Sequence, residues 1–79
     1  MHIFILGATG YIGGAIAQRA LQAGHTVQGL ARSDQAEVAL RERGIVPVRG
    51  SLDDHEMLVR TARESDAVIF AVSYGSDIQ

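Results

Sequence analysis

The chain has 79 residues, of which 47% are hydrophobic and 20% are charged, and it contains no cysteine. This balance is typical of one folded domain and excludes a disordered chain, which is poorer in large apolar residues. The net charge of -2 argues against a nonspecific nucleic-acid surface. No cysteine means no disulfide framework, and no apolar run is long enough for a signal peptide or a membrane span. We therefore expect a cytoplasmic protein without a membrane or nucleic-acid partner.

The first predicted strand, residues 3–6, is an unbroken apolar run, as expected of a strand covered on both faces of a parallel sheet. A glycine-rich loop separates it from a helix predicted over residues 11–23 and stopped by Gly24 in a left-handed conformation. The apolar stripe of this helix recurs at helical spacing and consists of Ile12, Ile16, Ala20 and Ala23, widened by Ala15 and Leu21.

The second strand is predicted over residues 26–31, and a second helix follows it closely. Ser33 or Asp34 can cap this helix, because a short oxygen-bearing side chain accepts a hydrogen bond from the first-turn amides. Asp34 lies beyond the strand end, so we interpret it as a helix cap and not as the acid that would bind a ribose. The helix is predicted to run to Arg43 and to end at Gly44.

A short third strand is predicted over residues 45–49, where Pro47 lacks an amide donor and favours the edge of a sheet. The third helix is predicted over residues 54–64. Asp53 stands three positions before Glu56, which is the spacing of a capping box. The side of the helix expected to be buried comprises Met57, Leu58 and Ala62.

The fourth strand is predicted over residues 67–72, another apolar run. Four strands alternate with three helices through short connections, and this pattern predicts an α/β fold with a parallel sheet of the Rossmann type. We expect a partial Rossmann sheet with the strand order 3-2-1-4 and with helices on both faces. The fourth strand would form an apolar edge. Such an edge invites pairing with another chain, so we expect that the protein can self-associate there.

The most informative stretch is the loop between the first strand and the first helix, Gly7-Ala8-Thr9-Gly10-Tyr11-Ile12-Gly13. Its first glycine allows a tight turn, the second lets the backbone approach a pyrophosphate, and the third allows the helix to pack closely on the sheet. The amides at the helix start then face the anion. A Walker phosphate loop is excluded, because it requires a lysine and the chain has none.

The stretch GATGYIGG resembles the glycine signature of the extended and atypical short-chain dehydrogenase/reductase proteins, which include NAD-dependent epimerase/dehydratase and NmrA-like members. GHTVQGLARS, GIVPVRGSLDD and DAVIFAVS also resemble successive segments of that family. The resemblance implies that residues 1–79 are an NAD(P)-binding Rossmann half-domain, the N-terminal part of a longer family fold, which binds the adenosine and pyrophosphate half of the cofactor. The loop residues that it implies as cofactor-binding are Gly7, Thr9, Gly10, Tyr11, Ile12 and Gly13.

The end of the second strand indicates which dinucleotide is bound. The resemblance places Ala31 where NAD-binding members carry an acid, and Arg32 and Ser33 where NADP-binding members hold the 2′-phosphate. This favours NADP over NAD and leaves NAD open, since Arg32 could also be a solvated surface charge. The resemblance further implies that the adenine and ribose lie against Ser51, Leu52, Ala71 and Val72. Ser51 replaces the family's acid, and the last two residues could equally be the end of a buried strand.

No catalytic residue is predicted within these residues. The family's catalytic tyrosine is followed four positions later by a lysine, and the chain has no lysine after Tyr11, Tyr74 or anywhere else. The histidines lack the spacing of metal ligands, and they are His2, His25 and His55. The resemblance therefore implies the cofactor-anchoring part of an oxidoreductase or epimerase. The alternatives are a non-catalytic NADP-sensing module similar to NmrA-like regulators, or an inactive fragment.

Overall fold

The computed structural model describes residues 1–8 and 10–71. The strands are β1 (His2–Leu6), β2 (Thr26–Ala31), β3 (Val46–Arg49) and β4 (Ala67–Phe70), and the helices are α1 (Tyr11–Gln22), α2 (Asp34–Glu42) and α3 (His55–Glu64). All strand pairs are parallel and the sheet has the order β3-β2-β1-β4. The predicted α/β fold and strand order are therefore confirmed.

β1 lies in the middle of the sheet and is buried on both faces. Ile3 and Ile5 belong to the main core cluster, which they share with small residues of α1 and with Leu40 of α2. Phe4 and Leu6 alternate with them and are also buried, on the face that α3 covers. Buried residues on that face of the sheet and on α3 are Phe4, Leu6, Met57 and Thr61. The unbroken apolar sequence of β1 is thus explained by helices on both sides.

The side of α1 that faces the core is made of small residues, and this corrects part of the predicted stripe. Ile12 is 59% exposed, and Ala15 and Ala23 are exposed as well. The physical reason is that the glycine loop holds the first turn of α1 directly against the sheet, where only small residues fit. Ile16 and Leu21 pack partly against the core, and the buried residues of α1 are Gly13, Gly14, Ala17 and Ala20.

The predicted ends of α1 and α2 are confirmed at both glycines. Gly24 has φ +91° and Gly44 has φ +80°, in the left-handed region that terminates helices at little cost for glycine. At the start of α2, the Ser33 hydroxyl accepts a hydrogen bond from the Ala36 amide at 3.1 Å. Of the two predicted candidates, Ser33 is therefore the cap, and the interpretation of Asp34 as a cap is wrong because Asp34 lies inside the first turn.

The start of α3 differs from the predicted capping box by one residue. Asp54, not Asp53, caps the helix by accepting a hydrogen bond from the Met57 amide at 3.2 Å. The cause is a turn in which the Asp54 amide donates to the Ser51 carbonyl at 3.1 Å and the Asp53 amide donates to the Ser51 hydroxyl at 3.3 Å. This turn occupies Asp53 and brings Asp54 to the helix entrance.

The two edges of the described sheet are β3 and β4. Pro47 lies in β3, at an edge as predicted, where a missing amide donor is tolerated. In β4, Val68 is 46% exposed and Phe70 is 59% exposed, because α3 covers only the neighbouring strand well. β4 ends at Phe70, and Val72 lies outside the described residues. Self-association at this edge stays a prediction.

Candidate functional site

The glycine loop joins the carboxyl end of the central strand to the start of α1. Gly7 has φ +92°, a left-handed conformation that glycine adopts readily, and its carbonyl accepts a hydrogen bond from the Gly10 amide at 3.0 Å. A Cβ atom on Gly13 would lie 2.1 Å from the Gly7 carbonyl oxygen. The first and third glycines are therefore both required by the backbone. Thr9 lies outside the described residues.

The helix that follows this loop begins without a capping side chain. Gly10 occupies the N-cap position, and the first turn contains no acidic residue. The first bond of the helix runs from the Gly14 amide to the Gly10 carbonyl at 2.8 Å. Amides of the preceding first turn have no acceptor within the helix, and together with the helix dipole they favour an anion at this end. Tyr11 and Ile12, both exposed, stand beside it.

Gly29 in the middle of β2 is a part of the site that the sequence analysis did not single out. A Cβ atom on Gly29 would lie 3.0 Å from the Ala8 Cβ and 3.1 Å from a Leu40 methyl group. Ala8 is fully buried at this contact, so β2 packs directly against the glycine loop. A lone glycine inside a strand pattern signals such a close approach and could have indicated this contact.

Arg43, at the end of α2, also reaches the glycine loop. Its Nη1 donates to the Ala8 carbonyl at 3.4 Å, and it passes Gly14 so closely that a Cβ there would lie 2.9 Å from Nη1. An open groove of about 340 Å³ lies between Arg43 and the outer surface of α1. The residues that line it are Gly10, Tyr11, Gly14, Ala15, Gln18 and Arg43. Gly14, the fourth glycine of GATGYIGG, leaves room for this guanidinium, but its position along the chain does not identify Arg43 as the partner.

The end of β2 carries the residues predicted to select the dinucleotide. Arg32 is exposed and directly follows the strand. Ser33, next to it, is the N-cap of α2, so its hydroxyl already accepts one hydrogen bond. Arg49 forms ion pairs with Asp34 and Glu37 beside this turn. Hydrogen bonds from its guanidinium to these two carboxylates raise the pKa of Arg49 above its ordinary value.

The remaining predicted residues follow the carboxyl ends of β3 and β4, at the same edge of the sheet. The Gly50 amide donates to the Ala31 carbonyl at 3.1 Å, which places Ser51 and Leu52, both half-buried, near the end of β2. The Ala71 amide donates to the Leu6 carbonyl at 2.8 Å, immediately before the glycine loop. Ala71 also packs partly against the core. Val72 lies outside the described residues.

Two of the three histidines make contacts at the opposite end of β1 and β2. His2 Nδ1 contacts the Thr26 hydroxyl, and His25 Nδ1 lies 3.3 Å from the N-terminal amino group. Within residues 1–8 and 10–71, no group of three or more metal-binding side chains could hold an ion. Over the same residues, no helix is both long and apolar enough to cross a membrane.

Comparison with known proteins decides the family. The sequence matches the model of the NmrA-like family over residues 1–79. The chain belongs to the NmrA-like family. Among curated relatives, this NmrA-like chain is 47% identical over 73 residues to an uncharacterized protein of Saccharomyces cerevisiae, covering 87% of the chain and 24% of the relative. It is 37% identical to a phenylcoumaran benzylic ether reductase of Ginkgo biloba, covering 90% of the chain and 26% of the relative. The NmrA-like chain thus spans about a quarter of these relatives' length.

Solved structures similar to the NmrA-like chain share its fold. AtPrR2 with NADP+ and (+)pinoresinol superposes with a TM-score of 0.78 at 28% identity, over 92% of this chain and 26% of the other. The Bordetella bronchiseptica enzyme WbmH in complex with NAD+ superposes with a TM-score of 0.69 at 30% identity, over 94% of this chain and 26% of the other. The resemblance stated from the sequence is confirmed, and the fold is the Rossmann-like fold of these neighbours.

Proposed function

We propose that this chain binds the adenosine and pyrophosphate half of a nicotinamide dinucleotide, with NADPH favoured over NADH. In this proposal residues 1–79 form one cofactor-binding unit of a reductase-like or epimerase-like protein. The relatives include a named reductase, and the two solved structures hold NADP+ and NAD+. The reductase relative and the two solved structures support a nicotinamide dinucleotide as the class of ligand that this chain binds.

The observation that carries the proposal is the construction of the glycine loop. Gly7 turns in the left-handed region, and Gly13 brings α1 so close that no side chain fits between the helix and the Gly7 carbonyl. This closeness places the uncapped start of α1 directly beyond the carboxyl end of the central strand. In open α/β sheets, dinucleotides bind at this position, with the pyrophosphate on the first-turn amides.

Arg32 supports the preference for NADPH. It stands exposed at the end of the neighbouring strand β2, where the adenosine ribose of a bound dinucleotide would lie. A guanidinium is a permanent cation whose planar donors suit a phosphate. The strand end carries Ala31 in place of the acid that would accept from an unmodified ribose. The 2′-phosphate of NADPH is therefore the better partner.

In the proposed reaction the chain anchors and orients the cofactor, which supplies hydride chemistry when bound. The loop amides would hold the pyrophosphate, and Ser51, Leu52 and Ala71 would contact the adenosine. No lysine is present in the sequence, so a Tyr-x-x-x-Lys pair is not among these residues. Proton transfer to a substrate is accordingly assigned no residue here.

The test is a titration of the 79-residue chain with NADPH and with NADH at low salt, after circular dichroism has confirmed that it is folded. We expect NADPH to bind more tightly. Arg32→Ala should weaken NADPH binding about tenfold, because a charge-assisted hydrogen bond is lost, and should leave NADH little changed.

Arg63→Ala is the matched control, since it removes the same charge from the last turn of α3. It should leave both affinities close to those of the unmodified chain. A folded chain that binds neither dinucleotide would contradict the proposal. Equal loss of both affinities in Arg32→Ala would remove Arg32 from its proposed role.

A further inference from the structure

Arg49 connects the end of β3 to the first turns of α2. Its Nη1 lies 2.6 Å from Asp34 Oδ1 and 2.5 Å from Glu37 Oε2, so one guanidinium nitrogen binds both carboxylates. Asp34 has a side chain that is 95% exposed, and the side chain of Glu37 is 26% exposed. These ion pairs lie at the surface, where such pairs add little to folding stability.

The ion pairs lie next to the turn that holds Arg32. Arg49 is opposite Ala31 in the register of β2 and β3, and the Gly50 amide donates to the Ala31 carbonyl at 3.1 Å. Arg32 follows Ala31 directly, and Asp34 is two residues further on. The ion pairs of Arg49 are therefore beside the turn that carries Arg32, whose proposed role is to bind the 2′-phosphate.

Arg32 and the four residues joined by ion pairs have charges that nearly balance. Arg32, Arg41 and Arg49 contribute three positive charges, and Asp34 and Glu37 contribute two negative charges, so the sum is +1. Arg41 is 3.6 Å from Glu37 and contributes one of the ion pairs. Without Arg49 the sum would be zero, and the Asp34 carboxylate would have lost its partner. A phosphate carrying close to two negative charges would then meet a less favourable potential.

We propose that Arg49 is a specificity-determining residue for NADPH, because it cancels the charges of Asp34 and Glu37 beside the position where Arg32 would bind the 2′-phosphate. This inference rests on the proposed function. Arg49 acts through the carboxylates and is not assigned a contact with the cofactor. NADH has no 2′-phosphate, so the effect is confined to NADPH.

The first test is Arg49→Gln, titrated with NADPH and NADH at low ionic strength, where surface charges are least screened. We expect NADPH to bind about fivefold more weakly and NADH to be unchanged. Arg63→Gln removes the same charge on α3 and should leave both affinities as they are. Arg49→Lys keeps the charge, so its affinity for NADPH should stay within about twofold of that of the unmodified chain.

The second test removes the carboxylates instead of the arginine. The double variant Asp34→Asn with Glu37→Gln should bind NADPH several-fold more tightly, because the repulsion disappears and Arg49 is released. Adding Arg49→Gln to this double variant lowers the charge sum from +3 to +2, so NADPH affinity should fall to a value between those of the double variant and the unmodified chain. If Arg49 only held α2 in place, the double variant would bind NADPH more weakly because the ion pairs are lost, and adding Arg49→Gln would change nothing further. Both results would contradict the electrostatic role.

The two proposals fail in different ways. If the unmodified folded chain binds neither dinucleotide, the proposed function falls and this inference falls with it. If the chain prefers NADPH and Arg32→Ala abolishes that preference, the proposed function stands. An unchanged ratio of NADPH to NADH affinity in Arg49→Gln, or an equal loss of both, would then overturn the role of Arg49 alone.

Discussion

The start of α1 differs in construction from the starts of α2 and α3. Ser33 and Asp54 cap the latter two with a side-chain oxygen, and each of these helices has an acidic residue in its first turn. At α1, Gly10 provides no side chain and the first turn has no acid. In α2 and α3 a side chain thus accepts from one first-turn amide, whereas α1 offers its first-turn amides no side-chain acceptor.

This difference has a cost in stability that the rest of the molecule has to offset. Glycine loses more conformational freedom on folding than other residues, and α1 carries Gly13 and Gly14 inside the helix. A helix optimised for stability would have alanine at these positions and a serine or aspartate at position 10. Gly13 is explained by the close approach of α1 to the Gly7 backbone, whereas the atom nearest to a Cβ on Gly14 belongs to a side chain, and substitution can test this difference.

The largest effect is expected for Gly13→Ala. Its Cβ would lie 2.1 Å from the Gly7 oxygen and 2.7 Å from the Gly7 carbonyl carbon, and both are backbone atoms that cannot turn away. The loop or the helix would have to move, at a cost on the order of 3 kcal/mol in the free energy of unfolding. Urea denaturation followed by circular dichroism measures this, and titration should show that NADPH binding is lost.

Gly14→Ala is the matched control for that variant. Its Cβ would meet the Nη1 of Arg43 at 2.9 Å, and this is the end of a flexible side chain that can swing aside. Alanine also favours a helix over glycine, so stability should stay level or rise by up to about 1 kcal/mol. If Gly13→Ala and Gly14→Ala lowered the free energy of unfolding by similar amounts, the first turn of α1 would need glycine for some reason other than the approach to Gly7.

The second prediction gives α1 the start that α2 and α3 have. Gly10 has φ -78° and ψ 172°, an extended conformation open to other residues, although a Cβ would lie 3.3 Å from the Gly7 oxygen. Gly10→Asp should therefore change stability by no more than about 1 kcal/mol in either direction. Its carboxylate would compete with the pyrophosphate, so NADPH and NADH should both bind about tenfold or more weakly.

Gly10→Asn is the neutral control, with nearly the same shape. It should keep most of the affinity for both dinucleotides, measured by the same titration. If the aspartate variant bound them as well as the unmodified chain, the start of α1 would not be the anion site, and the comparison between the helix starts would lose its functional meaning.

Much of the fold was predictable because its signals are local. The burial of β1 follows from an unbroken apolar run, and the helix ends at Gly24 and Gly44 follow from the conformation that glycine alone adopts easily. The glycine loop was predictable for the same reason. Its spacing between a strand and a helix is tied to backbone geometry, and the positions of Gly7 and Gly13 confirm that geometry.

The parts that could not be predicted depend on the reach of side chains between distant segments. Arg43 contacts the glycine loop across α1, and Arg49 contacts α2 from the end of β3. Neither contact has a signature in the spacing along the chain. The exposure of Ile12 was missed because helical periodicity identifies an apolar stripe and does not show that a close backbone contact rotates the smaller residues inward. The capping-box spacing indicates Asp53, because Glu56 follows it by three positions, whereas the turn through Ser51 that brings Asp54 to the helix start leaves no such signal.

The smallest effects are expected at the two side-chain caps, and they separate two roles of Ser33. Ser33→Ala and Asp54→Ala should each lower the free energy of unfolding by about 1 kcal/mol, since each removes one acceptor for a first-turn amide. Ser33 also lies beside Arg32, and its hydroxyl hydrogen is free to be donated while the oxygen accepts from Ala36. Ser33→Ala should therefore weaken NADPH binding about threefold as well, which Asp54→Ala should not do. If NADPH affinity were the same in both variants, Ser33 would be a helix cap like Asp54, and Arg32 alone would remain to recognise the 2′-phosphate.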